Sequence, residues 1–306
     1  MGKIAFVFSG QGAQHPGMGM NFYEQDPAVR DLFDRAEAIR PGTLETMRNG
    51  DEETLRATEN TQPCLYLADL APAMVLDRMG VHPDGVAGFS LGELPALSFA
   101  GACELTEGFV LTVKRGLFMG EASRAVHTAM AAVVKLPNQI VEQACRDFTR
   151  VYPVNYNCPG QLVVAGDAEE MPAFSQRIRE LGGMALPLKV AGGFHSPFME
   201  SAAVRFAQVL SETDFATPRI PVYANRTGLP YEGPVAKTLS EQMNHPVLWE
   251  KTIRQMSADG FDTFVETGVG NVLSKLIAKI LPGTKVYTVS EPEACEKVAG
   301  EVSSHA

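Results

Sequence analysis

Gly88-Phe89-Ser90-Leu91-Gly92 is a GxSxG pentapeptide. It lies between a run that reads as a strand and one that reads as a helix, the context in which the pattern becomes a nucleophile elbow. A serine in so sharp a turn needs neighbours without side chains. The turn exposes its Oγ at the carboxyl edge of a sheet, and the helix N-terminus behind it favours a developing negative charge. The bland alternative is a plain glycine-serine turn. A serine hydroxyl is a weak nucleophile at neutral pH, so such chemistry requires a base within hydrogen-bond reach. Of the six histidines, His195 is best placed, in Gly192-Gly193-Phe194-His195-Ser196-Pro197 directly after an expected strand. His15 sits in a glycine-rich loop and His245 precedes Pro246, while His82, His127 and His305 occupy polar or terminal settings. A lone loop histidine is as readily a solvated one, and no Asp or Glu announces itself as a third triad member.

Gly10-Gln11-Gly12-Ala13-Gln14 follows the first expected strand. It lacks both GxxxxGK[ST] and GxGxxG, which argues against a phosphate loop. Its other use is to supply one backbone N–H of an oxyanion hole, the second coming from Leu91 after the serine. A tight turn that only needs flexible residues explains it as well. Arg115, in Lys114-Arg115-Gly116-Leu117-Phe118-Met119, either grips a substrate carboxylate or is an ordinary surface arginine. Asn155, Asn157 and Gln161 either line a polar pocket or form turns before Pro159. Cys158 has no activating cation nearby in sequence and reads as an inert core thiol.

The elements that must carry these residues alternate. Ile4–Phe8 reads as a buried strand, Asp26-Pro27 as a helix start, 62–79 as a helix, Gly85–Phe89 as a strand and 91–100 as an apolar helix, with another helix from Thr106. Near Ser123 the pattern changes. Strands at 128–136, 151–155, 161–165 and 184–190 enclose helices at 138–148 and 168–181, a β-α-β-β-α-β order typical of ferredoxin-like units. Beyond Pro197 alternation resumes, with strands at 220–224 and 261–266 and a helix at 270–281. The simplest architecture is a large α/β domain, 1–123 and 192–306, interrupted by a small α+β subdomain, 124–191.

At 306 residues, with 45% hydrophobic and 20% charged side chains, the chain buries a sizeable core. Its formal charge of −10 repels polyanions, so nucleic-acid binding is not expected. Five cysteines without a CxxC pair indicate neither a disulfide framework nor a metal site. The N-terminal apolar run is too short for a signal sequence or membrane span, so a cytoplasmic protein without a membrane partner is expected.

Together these pieces resemble the malonyl-CoA:acyl carrier protein transacylase family, the acyltransferases of fatty acid and polyketide synthesis. The likeness covers nearly the whole chain. It rests on FSGQGAQ from Phe8, GFSLGE from Gly88, KRGLFM from Lys114, VNYNCPGQ from Val154, GGFHSPFM from Gly192, NHPVLW from Asn244 and ETGVGNVL from Glu266. The resemblance implies an α/β-hydrolase-like core with an inserted ferredoxin-like subdomain, and a ping-pong transfer without a cofactor. Ser90 would take the malonyl group from malonyl-CoA and pass it to the phosphopantetheine thiol of an acyl carrier protein, with His195 as base and then acid. The N–H groups of Gln11 and Leu91 would form the oxyanion hole, and Arg115 would pair with the malonyl carboxylate. His245 would orient His195 through its main-chain carbonyl, while Asn155, Asn157, Met119 and Phe194 line the pocket. Discrete members resemble monomers, so a monomer is expected.

A buried guanidinium deprived of its carboxylate costs on the order of 2–5 kcal/mol, which implies that acetyl-CoA is a poor donor. Bulky Phe194 beside the base resembles malonyl-selective members. The rival readings are an acyl-thioester hydrolase on the same scaffold and a non-catalytic carrier-docking module. Ser9 replaces a proline before GQG, Leu94-Pro95 an aromatic-small pair, and Gly120 a glutamine common in relatives, which raises the question of a wider pocket.

Overall fold

The computed structural model describes residues 2–190 and 192–303. His305 and the end points 1, 191 and 306 of the two expected units lie outside them. Strand β1 (Lys3–Phe8) is the N-terminal apolar run, and Ala5 to Phe8 are fully buried because strands flank it and helices cover both of its faces. After it come α1 (Met20–Gln25), α2 (Pro27–Ile39), α3 (Thr43–Asn49), α4 (Glu52–Arg56) and α5 (Thr58–Arg78). Asp26 caps α2 as expected, accepting from the N–H groups of Ala28 and Val29, with Pro27 in the first turn. Next are β2 (Gly85–Gly88), a 3₁₀ turn (Ser90–Gly92), α6 (Glu93–Phe99) and α7 (Leu105–Ala125). The middle of the chain forms β3 (Thr128–Val134), α8 (Asn138–Cys145), β4 (Val151–Cys158), β5 (Gln161–Asp167), α9 (Met171–Glu180) and β6 (Met184–Pro187). A second 3₁₀ turn (Pro197–Met199) leads into α10 (Glu200–Ser211), β7 (Val222–Tyr223), α11 (Val235–Ser240) and α12 (Trp249–Ala258). The chain then forms β8 (Phe261–Thr267), α13 (Val272–Ile280), β9 (Lys285–Val289) and α14 (Pro292–Ser303).

One sheet is parallel throughout, in the order β7-β2-β1-β8-β9. Alternate residues of its central strands serve two different cores. Phe6, Phe8, Val86 and Val265 pack with the apolar side chains of α5, α6 and α7, whereas Ala5, Val7, Ala87 and Phe264 pack with those of α12 and α13. The other sheet is antiparallel, in the order β4-β5-β3-β6, and reproduces the expected β-α-β-β-α-β sequence of elements. Ala131, Val133, Leu162 and Val164 meet α8 and α9, while Met130, Ala132, Val163 and Ala165 face the core of the parallel sheet. The protein is therefore a mixed α/β fold with separate parallel and antiparallel sheets.

Two differences from expectation bear on the site. Helix α5 starts at Thr58 rather than Gln62, with Pro63 and Pro72 inside it, which puts Gln62 in the helix body. The single helix expected over 91–100 is broken into the 3₁₀ turn and α6. The reason is crowding at the elbow: a Cβ on Gly88 would lie 1.9 Å from the carbonyl of Gly92, and one on Gly92 would lie 2.2 Å from the carbonyl oxygen of Phe8. The chain folds back on its own strand, and only glycine at both positions permits it.

Candidate active site

Three strands of the parallel sheet deliver residues to one carboxyl edge. Ser90 follows β2, Gln11 lies in the loop after β1, and Asn225 comes two residues after β7. Phe89 donates its N–H to the carbonyl of Phe8 at 3.0 Å, and a Cβ on Gly10 would lie 2.7 Å from the carbonyl oxygen of Phe89, so the Gln11 loop runs against the elbow. Ser90 has φ of +55° and His195 φ of +59°, both in the left-handed region that non-glycine residues seldom occupy. Ser90 Oγ donates to His195 Nε2 at 2.7 Å, and His195 Nδ1 donates to the main-chain carbonyl of Gln242 at 2.9 Å. That bond fixes the tautomer with Nε2 as acceptor. The carbonyl hydrogen-bonded to His195 is thus that of Gln242 and not, as expected, that of His245, whose own ring bonds the Glu241 carbonyl and the Asn244 side chain.

The surface-arginine alternative for Arg115 is excluded, because its side chain is 0% exposed. One Nη donates to Gln62 Oε1 at 2.8 Å; the other donates to Gln242 Oε1 at 2.7 Å and reaches Ser90 Oγ at 3.3 Å. Its Nε is buried without a hydrogen-bond partner. Burial lowers the guanidinium to about 10, opposed by the charge of Glu93, so it stays protonated at neutral pH. Burial first, and the Arg115 charge second, lower His195 to about 4. The imidazole is therefore neutral at pH 7 and able to take a proton from Ser90.

A second layer of amides and one acid holds the elbow. Asn225 Oδ1 accepts from the Ser90 N–H at 2.6 Å, and its Nδ2 donates to the Gly88 carbonyl at 2.5 Å. Gln242 Nε2 donates both to the Ser90 carbonyl and to Glu93 Oε2, each at 2.6 Å. Sequence reading missed Asn225, Gln242, Gln62, Glu93 and Tyr231. Two of them carried a signal: Asn225 directly follows the strand expected over 220–224, and Glu93 is a charge inside an otherwise apolar helix. Gln242 acts on His195 through a main-chain carbonyl, which has no side-chain signature.

Of the other expected site residues, Leu91 is buried directly behind Ser90. Gln11 Oε1 accepts from Gln62 Nε2 at 3.1 Å, and Met119 Sδ accepts from the same amide at 3.3 Å, which sets both beside Arg115's partner. Phe194 is buried next to His195. Asn155 and Asn157 lie on β4, next to the Val247 segment. No hydrogen bond links them to Ser90, His195 or Arg115 among the described residues, and the Oδ1 atom of each is buried without a partner. The space beside Gly120 is taken by Glu59, whose Oε2 would lie 2.5 Å from a Cβ there and which pairs with Arg124. No helix among the described residues is long and apolar enough to cross a membrane.

A nucleophile, a neutral base and a buried cation converging on one serine suit acyl transfer, and residues 5–292 match the acyl transferase domain family. The chain belongs to that family. Within it, the malonyl CoA-acyl carrier protein transacylase of Bacillus subtilis is 38% identical, over 97% of this chain and 96% of the relative. The MCAT of Streptococcus pneumoniae superposes with a TM-score of 0.93 at 33% identity, covering 98% of this chain and 100% of that one. A malonyl-transacylase solved in complex with its type II PKS acyl-carrier protein superposes with a TM-score of 0.94 at 31% identity, over 98% and 99% of the two chains.

Proposed function

We propose that the chain is an acyl carrier protein S-malonyltransferase, moving the malonyl group of malonyl-CoA to the phosphopantetheine thiol of a carrier protein. The observation that carries this reading is the pairing of Ser90 with His195 at 2.7 Å while a fully buried Arg115 stands 3.3 Å from the same Oγ. Ser90 Oγ attacks the thioester carbon as its proton passes to His195 Nε2. The tetrahedral oxyanion is held by the N–H groups of Gln11 and Leu91. As it collapses, the C–S bond breaks and coenzyme A leaves as thiol with the proton from Nε2. Malonyl-Ser90 remains. The carrier thiol then gives its proton to Nε2 and attacks the ester, and Ser90 Oγ recovers the proton on leaving.

Arg115 supports malonyl selectivity. Its Nε has unused hydrogen-bonding capacity in a water-poor site, which a free carboxylate satisfies and an acetyl methyl does not. In the same reading the parallel-sheet unit, 1–123 with 192–306, is an α/β-hydrolase-like core and 124–191 a ferredoxin-like insertion. The chain works as a cytoplasmic monomer, and its charge of −10 disfavours a nucleic-acid partner.

Intact mass after incubation with malonyl-CoA tests the reading. A malonyl adduct on the wild type, absent from Ser90→Ala and discharged by a malonyl-accepting carrier protein, is the expected result. Free malonate released faster than the carrier is loaded would assign a hydrolase instead.

A further inference from the structure

Glu93 is 1% exposed and sits directly under the nucleophile. Its Oε1 accepts from the Tyr231 hydroxyl and from the Asn225 N–H, and its Oε2 from Gln242 Nε2. Asn225 and Gln242 are the two residues whose side chains grip the Ser90 peptide, one at its N–H and the other at its carbonyl. One carboxylate thus anchors the main chain of Asn225 and the side-chain amide of Gln242, the two residues that hold a serine in a strained backbone conformation.

With Arg115 and the Ser90 carbonyl, it also fixes which way the Gln242 amide points. Gln242 Oε1 accepts from Arg115, and the same residue's main chain accepts from His195. With the amide reversed, an NH₂ group would face the guanidinium, donor against donor, and an oxygen would face the Glu93 carboxylate, acceptor against acceptor. The Arg115 donor and the Ser90 carbonyl oppose that flip too, and a charged carboxylate adds a further penalty that a protonated acid or an amide at position 93 lacks.

We infer that Glu93 is a positioning residue: through Asn225 and Gln242 it holds Ser90, His195 and Arg115 in a single register, and it does so as a carboxylate. The inference rests on the S-malonyltransferase reading. The groups facing Glu93 are the Tyr231 hydroxyl, the Gln242 side-chain amide, the Asn225 main-chain N–H and Arg115, the last being the cation among them. Burial raises Glu93 to about 7 against the combined pull of these partners, so its charge changes within the range in which the enzyme is assayed.

The test is quenched-flow measurement of malonyl-Ser90 formation by the wild type, Glu93→Gln and Tyr231→Phe between about pH 5.5 and 8.5, with acetyl-CoA as a second donor. Glu93→Gln is expected to lower the maximal rate about ten- to a hundredfold while the KM for malonyl-CoA moves less than about threefold, and to narrow the preference for malonyl over acetyl. The wild-type rate should rise with pH through an inflection near 7, and that inflection should vanish in Glu93→Gln. Tyr231→Phe, which retains the charge and removes one donor, should cost only about two- to fivefold and keep the inflection. A Glu93→Gln protein with wild-type rate, selectivity and pH profile overturns the inference. If Glu93→Gln does not fold, a Tyr231→Phe rate identical to wild type across the pH range does the same. A wild type that forms no malonyl-serine would instead sink the underlying assignment.

Discussion

Glu93 and Asp69 are both buried carboxyls at the carboxyl edge of the parallel sheet, on opposite sides of β1, and their surroundings differ in kind. Around Glu93, the Tyr231 hydroxyl, the Gln242 amide, the Asn225 N–H and the Arg115 charge all favour the ionised form, so burial lifts it only to about 7. Asp69 has the Ser9 hydroxyl at 2.7 Å, no cation, the like charge of Glu266 nearby, and an Oδ2 without a partner. Burial therefore raises its pKa well above the ordinary carboxylate range, against the Ser9 hydroxyl and the Val269 main chain, which favour the ionised form. Its place explains its job. Strand order reverses between β1 and β8, where open α/β sheets commonly leave a crevice for a ligand. Here Asp69 fills the space between Ser9 and Gly268, whose φ of +108° and whose missing Cβ, which would lie 1.8 Å from Oδ1, let the acid approach. With that side closed, the chemistry is gathered on the β1, β2 and β7 side.

The largest effect should come from taking the cation away from Glu93. Arg115→Ala removes the charge that favours ionised Glu93 and leaves the buried Oε1 atoms of Gln62 and Gln242 without their donor, at a typical cost of about 1–3 kcal/mol for each such group. Urea unfolding should show that loss, and it should be larger at pH 8 than at pH 5.5, because Glu93 must then be carried as an uncompensated charge. Malonyl transfer should fall far more than acetyl transfer. A stability loss that is the same at both pH values would mean that Glu93 and Arg115 are not coupled.

That contrast marks what was legible in the sequence. The elbow was visible because GxSxG lies between a four-residue apolar strand and an apolar helix, and His195 because a histidine after a strand end is placed to reach the same edge. The antiparallel sheet was legible from its regular alternation of short elements. Arg115 was ambiguous: α7 is apolar on more than one side, so its periodicity does not say which face is inside, and only the packing of α5 against it buries the guanidinium. Gln62 was hidden for a related reason, since the helix was expected to begin there and in fact begins at Thr58, which puts Gln62 inside α5. Helices α10 and α12 were passed over, although each has an apolar stripe, because the proline- and glycine-rich segment between them draws the eye to its short strand and turns.

A smaller effect separates His195 from Glu93 in the pH dependence of stability. The folded-state value for His195 is about 4, below its ordinary 6.5, so between these values the unfolded chain binds more protons. Its contribution is complete above about 6.5 and is lost as pH falls toward 4. Glu93 runs the other way. Its folded value of about 7 exceeds the ordinary 4.5, so its contribution is complete below about 4.5 and is lost as pH rises through 7. Relative to wild type, His195→Gln should gain stability as pH is lowered from about 6.5, and Glu93→Gln should gain it as pH is raised from about 4.5. Chemical unfolding at several pH values distinguishes the two, and parallel curves for the variants would contradict the opposite environments assigned to these residues.

The smallest effect is expected at Asp69. A carboxyl is nearly isosteric with its amide, so Asp69→Asn keeps the shape that closes the β1–β8 side and keeps an oxygen to accept from Ser9. Its stability at acidic pH should lie within about 1 kcal/mol of wild type, the usual net worth of one hydrogen bond. The sign of the remaining difference is fixed by linkage. Asp69 titrates above its ordinary 3.8 in the fold, so wild type loses stability as pH rises through the folded value while the amide does not. The Asn variant should therefore gain on wild type as pH increases, and its rate of malonyl-serine formation should stay within about twofold, because no hydrogen bond ties Asp69 to the serine, the histidine or the arginine. A loss of activity comparable to that of Glu93→Gln would show that the closed side of the sheet edge participates in catalysis, and the distinction between the two carboxyls would collapse.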